Sequence, residues 1–298
     1  MNQRDCLAAL AVLLGLVVAL PTVVQGQDRK EQVTEILADM VSRRDQMKSY
    51  AVVLFGTDGP VDGERQPFVM VRVFDEARQF DLCAHYRYTA RYLEYGSERV
   101  TTANGHKWRS HPVTNYYLVV PKGDENRIHR SFQSPIGHDP FDDWFTVSGV
   151  NSYMPRSIDE HLGRYPLQSA TMVDGKLSAR FINQDESAIC ITTFDPAIEH
   201  MPIRGEIRNI KNDQLYHAID LTWEKTSGHL LPSTLVYEHP ISSRNRDVTT
   251  LHTKRFKLYW LFGEEIPSQV FTGPDHLLPL LDHFQLPHSR YDKERDFW

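Results

Sequence analysis

The chain has 298 residues, with 33 Lys plus Arg against 39 Asp plus Glu and a formal net charge of −6. That mild acidity argues against a nucleic-acid binder, which needs a basic face to displace counterions. Charged residues at 24%, hydrophobics at 41% and aromatics at 11% exclude global disorder. Three cysteines exclude a disulfide-dense miniprotein and a multi-cysteine metal or iron–sulfur centre.

Residues 7–20 read LAALAVLLGLVVAL, fourteen residues without a charge. Pro21 breaks the run, and Val24-Gln25-Gly26 supplies a signal-peptidase site. Residues 1–26 therefore read as a secretory signal, with a soluble, exported mature chain starting at Gln27. The alternative is an uncleaved anchor over residues 6–24, which Pro21 and Thr22 shorten to less than a comfortable bilayer span. Cys6 precedes the apolar run and so is not a lipoprotein acylation site. No Asn-x-Ser/Thr sequon occurs, which suits a bacterial periplasm or envelope. After signal removal Cys83 and Cys190 remain. Two readings stay open for them: a disulfide worth roughly 4–5 kcal/mol in the chain-entropy model, or two small buried hydrophobes.

Next comes one amphipathic helix over 33–47. Val33, Ile36, Leu37, Met40 and Val41 fall at i, i+3, i+4, i+7 and i+8, a single apolar stripe. From Tyr50 the period changes to two. YAVVLF (50–55) and FVMVRVF (68–74) are apolar on both faces, so each needs cover on both sides, with the helix supplying one. Residues 80–88 alternate, and further strands follow around 100–102, 107–108 and 116–120. After residue 166 the strands resume as hairpins: 167–173 with 176–182 across Asp174-Gly175, then 188–194. The pair 206–210 and 215–223 flanks Lys211-Asn212-Asp213. The run 230–239 follows Ser227-Gly228, and 249–262 closes the series. The fold class is α+β, mainly β. It is one curved antiparallel sheet of about ten strands in a single domain, 27–298, with its helices on one side.

Residues 121–166 are rich in His, Pro, Asp and Gly and have little periodicity. They read as a lid-like insertion, too small for a core of their own. They hold the best acid/base cluster, His138, Asp139, Asp142 and Asp143, which a hydrolase could use; an Asp-rich helix cap has the same composition. Glu-His recurs at Glu160-His161, Glu199-His200 and Glu238-His239. No HExxH, Cys-x-x-Cys, P-loop, dinucleotide fingerprint or nucleophile elbow accompanies them, so no metal or cofactor is expected. Apolar surface stands out more than reactive groups. Phe68, Met70, Trp108, Trp223 and Trp260 are the large residues expected to line a cavity, with core packing as the alternative for each.

Four segments, in order, resemble the LolA-like superfamily of periplasmic lipoprotein-sorting proteins. The helix 33–47 runs straight into the strand 50–55. Asn104-Gly105-His106-Lys107-Trp108 is followed by Pro112. Leu221-Thr222-Trp223, the Ser227-Gly228 turn and Leu231-Pro232-Ser233 follow, and the run 256–262 leads to Ile266-Pro267 and Phe271. The resemblance implies an incomplete β-barrel with helices over its open side and an apolar cavity between them. It also implies a strand arginine at Arg72, for which a lone edge charge is the alternative. The expected function is non-catalytic binding of an apolar or lipidated ligand, with a transient envelope or membrane partner. An envelope sensor or scaffold for a protein partner is the second reading. Burying a C16 acyl chain would yield on the order of 11 kcal/mol, so release requires partial burial or a movable lid, which the insertion would supply.

Overall fold

The computed structural model describes residues 27–287 other than 41, 44, 45, 89–92, 103, 104, 111–117, 121–161, 164, 184, 243–248 and 273–275. The expected signal segment at 1–26, the cluster at 138–143 and nearly all of the expected lid-like insertion at 121–166 lie outside the described residues. Among those described, no helix is long and apolar enough to cross a membrane.

Residues 27–40 form helix α1, and 42, 43 and 46 are also helical. Val33, Ile36, Leu37 and Met40 are buried, so the apolar stripe is the packed face. Thirteen strands follow: β1 (Ser49–Pro60), β2 (Gln66–Asp75), β3 (Phe80–Tyr88), β4 (Leu93–Thr102), β5 (Gly105–Ser110), β6 (Leu118–Val120), β7 (Leu167–Val173), β8 (Lys176–Ile182), β9 (Ala188–Asp195), β10 (Met201–Asn209), β11 (Leu215–Thr226), β12 (His229–Ser242) and β13 (Thr249–Phe262). Two short helices, α2 (Gln269–Thr272) and α3 (Leu278–Phe284), close the described chain.

Among the described residues all thirteen strands join one sheet in the order β6-β5-β4-β3-β2-β1-β13-β12-β11-β10-β9-β8-β7. Every pairing is antiparallel. The two ends do not meet, so the sheet is a curved, incomplete barrel. The count exceeds ten because the short runs after residue 100 pair as strands in their own right. Two turns fall where glycine marked them. Asp174 and Gly175 have φ of 50° and 76°, and Ser227 and Gly228 have 48° and 82°. Two adjacent positive φ angles give the twist that a tight hairpin needs.

The central strands carry two apolar faces. Ala51, Val53 and Phe55 of β1, with Val69, Val71 and Val73 of β2, pack on Val270, Leu277, Leu280 and Leu281 of the C-terminal segment. Tyr50, Val52 and Leu54, with Phe68 and Met70, point to the other side and meet Leu231, Leu235, Phe256 and Trp260. Helix α1 covers this second, inner face, but over β7 to β10, where it meets Leu177, Phe181, Cys190 and Met201. Two expectations are thereby corrected. Helices lie on both faces of the sheet, and the outer cover of YAVVLF is the C-terminal tail, not the N-terminal helix. Periodicity shows that a face is apolar, whereas the element that covers it depends on contacts distant in sequence.

Gly56 sits in the central pair β1–β13. A Cβ there would lie 1.7 Å from the Arg255 carbonyl oxygen and 2.9 Å from the Phe256 Cα. The bare backbone allows this close approach, as glycine does at bends of curved sheets. Asp75 fastens the other end of β1. Its carboxylate is 2% exposed. It accepts from Ser49 Oγ at 2.8 Å and from the Arg78 backbone N–H at 2.7 Å, and it pairs with the Arg78 guanidinium. Burial alone would raise its pKa; the bonds from Arg78 and Ser49 outweigh burial and hold it below the usual carboxylate range.

Gly56→Ala should lower stability by roughly 1–3 kcal/mol, the usual range for overpacking. Urea unfolding should show a lower midpoint at unchanged slope. Asp75→Asn should cost about 2 kcal/mol at neutral pH, the scale of hydrogen bonds to a charged group. The depressed pKa makes this stabilisation fully present above the unfolded Asp value near ~4. It is lost as pH falls through the lower folded value, so stability of the Asn variant should depend less on pH in that acidic window.

Candidate binding pocket

The inner face is continuous in register. Trp108 pairs with Arg99, Arg99 with Cys83, Cys83 with Arg72, Arg72 with Val52 and Val52 with Trp260. Directly opposed residues share a face, so position 108 belongs to the row of Arg72 and Trp260. Five strand spacings separate it from Trp260, about 24 Å along the sheet. The Trp108 side chain lies outside the described part.

Arg72 is on β2, flanked by β1 and β3, and so is not an edge charge. Its guanidinium reaches the Asp81 carboxylate at 3.0 Å, with both side chains mostly buried. Phe68, Met70 and Trp260 are each 7% exposed and belong to the inner-face core. Trp260 stacks on Phe262 at 6.2 Å and 7°, and its Nε1 donates to the Pro232 carbonyl at 2.9 Å. Along most of β1, β2 and β13 the inner face is thus filled by its own side chains.

Where α1 ends, the filling is incomplete. A pocket of about 310 Å³ opens there, lined by Met40, Met47, Met201, Trp223, Leu230 and Leu231, with Asp39, Arg43, Gln46, Gly228 and His229 around it. Met40 and Met47 lie seven residues apart, two helical turns, and Met201 opens β10. Trp223 comes from β11, and the Ser227-Gly228 turn carries His229 and Leu230 into the wall. The indole of Trp223 is fixed by Nε1 donating to the Pro202 carbonyl at 2.7 Å. Three of the chain's seven methionines share this one lining. Unbranched thioether side chains adapt to varied apolar shapes, and Met-rich surfaces recur where binding is tolerant.

The mouth is charged and internally paired. Arg43 Nε donates to Asp39 Oδ2 at 2.7 Å and Arg43 Nη1 to Glu199 Oε2 at 2.8 Å. Lys225 Nζ lies 3.6 Å from Glu199 Oε1. Glu199 thereby joins α1, the corner before β10 and strand β11. The hydrogen bond and charge of Arg43 hold its carboxyl below the usual range. Glu199 and the adjacent His200 both have φ of 57°, left-handed for residues other than glycine. Such geometry costs roughly 1–2 kcal/mol per residue and concentrates at functional corners.

Among the described residues no group of three or more His, Cys, Asp or Glu could hold a metal ion. Cys190 is a buried thiol in the core under α1, and burial pushes its pKa up to about 12, which makes it inert. It sits on β9 and Cys83 on β3, seven strands apart in the sheet order. His239 joins a ladder of rings with Tyr237 at 5.3 Å and His252 at 5.8 Å. Of the expected ligand residues whose side chains are described, Trp223 alone lines the pocket, while Phe68, Met70 and Trp260 belong to the packed inner-face core. In the sequence Met40 stood out only as part of the helix stripe and Glu199 only as half of a Glu-His pair; neither these two nor Arg43, Met47 and Met201 were read as pocket residues. The seven-residue spacing of Met40 and Met47 was the available signal for two of them.

No protein-family model and no curated protein matches the chain. Two solved structures are similar to it in arrangement. One is a LolA superfamily protein from Nitrosomonas europaea, at 9% identity and a TM-score of 0.43, covering 78% of this chain and 96% of that one. The other is a DUF1329 family protein from Desulfovibrio piger, at 11% identity and a TM-score of 0.48, covering 81% and 96%.

Proposed function

We propose that this protein is a non-catalytic binding protein of the cell envelope that takes a lipid or lipid-modified ligand into the pocket at the end of α1. One observation carries the reading: a pocket of about 310 Å³ that combines Met40, Met47, Met201, Trp223, Leu230 and Leu231 with the polar groups of Asp39, Arg43, Gln46 and His229, beside the packed inner face of β1, β2 and β13. That volume lies at the lower end of the range of ~300–1,000 Å³ common for small-ligand sites. The apolar wall gives affinity through burial, and the paired charges keep the mouth wetted. Arg72, on the same inner face, and Trp108, in its register row, belong to the same surface in this reading. The leader at 7–20 directs the chain to the envelope, where lipidated proteins and free lipids are the available apolar ligands.

The second reading is an envelope scaffold for a protein partner. The filled state of the inner face along β1, β2 and β13 favours it. Titration with palmitate separates the two. Under the carrier reading, intrinsic tryptophan emission shifts in the native chain and in Trp260→Phe, whose indole is already enclosed. The shift is lost in Trp223→Phe, whose indole lines the pocket. An unchanged spectrum in the native chain, or an equal shift in Trp223→Phe, removes the carrier reading and leaves the scaffold.

A further inference from the structure

At the end of the sheet away from the pocket, apolar side chains line up across neighbouring strands. Among the described residues six large hydrophobics are exposed, and three of them share one row: Val61 at 41%, Tyr216 at 42% and Leu251 at 37%. Pro240 of β12 pairs with Leu251 of β13. The Val61 N–H, just past the end of β1, donates to the Leu251 carbonyl at 3.0 Å. On the other side Ala218 pairs with Glu238, so two residues along Tyr216 falls opposite Pro240. Directly opposed residues share a face. Leu251 alternates in step with Tyr259 and Leu261, which places the row on the outer face, beyond the part that the C-terminal segment covers. At ~4.8 Å per strand the row is about 14 Å long. Asn209 Nδ2 donates to the Tyr216 hydroxyl at 2.6 Å and holds the ring in place.

Two arginines stand behind the row. A Cβ at Gly59 would lie 2.9 Å from the Arg65 Cα, so Arg65 sits two residues back from Val61, ~7 Å along the strand. Its guanidinium donates to Thr57 Oγ1 at 2.9 Å and to the Thr253 carbonyl at 2.8 Å, both neutral acceptors. Burial, then the like charge of Arg255, lowers the Arg65 pKa, and Asp58 opposes both. Asp62, Glu64 and Glu238 lie at the same end of the sheet. These acids offset the arginines, so apolar contact is the main contribution this edge offers a partner.

The size of the row selects that partner. Three side chains about two-fifths exposed present roughly 200–300 Å², far below the ~800 Å² per partner of a stable protein interface. A bilayer surface is fluid and closes around single side chains, and tyrosine suits its boundary because one end is apolar and the other polar. Side chains lodged in that boundary reach ~5–10 Å deep, so a guanidinium ~7 Å behind them stands at the level of the phosphates. We propose that the row Tyr216–Pro240–Leu251–Val61 is a membrane-docking edge that enters the interface of a phospholipid bilayer, with Arg65 and Arg255 meeting the lipid phosphates. The proposal is independent of what fills the pocket. Tyr216 and Trp223 are seven residues apart on β11, ~23 Å of strand, so a docked chain keeps its pocket away from the bilayer.

The test is co-sedimentation of the chain from Gln27 onward with vesicles of phosphatidylethanolamine and phosphatidylglycerol. The native chain should partition onto the vesicles. Val61→Ser combined with Leu251→Ser should lower the partition coefficient roughly tenfold or more, and Arg255→Gln about a few-fold. Met172→Ser combined with Val173→Ser, which changes two exposed apolar side chains at the opposite end of the sheet, should leave it unchanged. Circular dichroism checks that each variant is folded, and the native result stands without them. No partitioning of the native chain, or an equal loss in the Met172 and Val173 variant, overturns the proposal. Sedimentation velocity without lipid tests the rival occupant. A native dimer that the Val61 and Leu251 substitutions dissolve overturns the membrane edge in favour of a second copy of the chain.

Discussion

The strand YAVVLF is apolar on both sides, and much of the structure answers that constraint. A strand with Ala51, Val53 and Phe55 on one face and Tyr50, Val52 and Leu54 on the other cannot lie at a water boundary. The chain meets the demand twice. The C-terminal segment folds back over the outer face with Val270, Leu277, Leu280 and Leu281. On the inner face Phe256, Leu258 and Trp260 of β13, the strand paired with β1, and Leu231 and Leu235 of β12 join the β1 and β2 side chains in one core. Burying such side chains yields about 1.5–3 kcal/mol each, so exposing either face would outweigh a marginal net stability. At Gly56 the β13 backbone leaves no room for a Cβ.

The pocket is the boundary between two inner-face solutions. Over β7 to β10 the cover is a helix, and over β1, β2 and β13 it is the sheet's own side chains. Trp223 packs against both cores, and Met47 reaches one from the end of the helical stretch. Between them the cover is incomplete. The ion pairs of Arg43 and Glu199 hold the two sides in register, although partly exposed pairs add little stability. Their consequence is geometric. They fix the end of α1 over the β10 corner, with charged groups beside the methionines and Trp223 of the pocket.

Strands and turns were legible in the sequence because their signals are local. Alternation over 80–88, the two-sided runs at 50–55 and 68–74, and glycines at 175 and 228 each act within a few residues. The cover of each face was not legible. The tail leucines and the N-terminal helix offer equivalent apolar stripes, and only packing decides which takes which face. The site was legible in part. Large aromatics attract attention, yet Phe68 and Trp260 are wall, and the lining depends on methionines whose convergence crosses three elements. Arg72 could be read either as an edge charge or as an inner-face residue. Its partner Asp81 settles the matter only once β2 and β3 are paired.

The central claim is that an acyl chain occupies the space between the end of α1 and the β11–β12 turn. The most direct measurement is photo-crosslinking with a fatty acid carrying a diazirine at its methyl end, followed by peptide mapping. The account predicts adducts concentrated on residues 39–47, Met201 and 223–231. Adducts spread evenly over the chain, or concentrated on the outer-face segment 270–286, would contradict it.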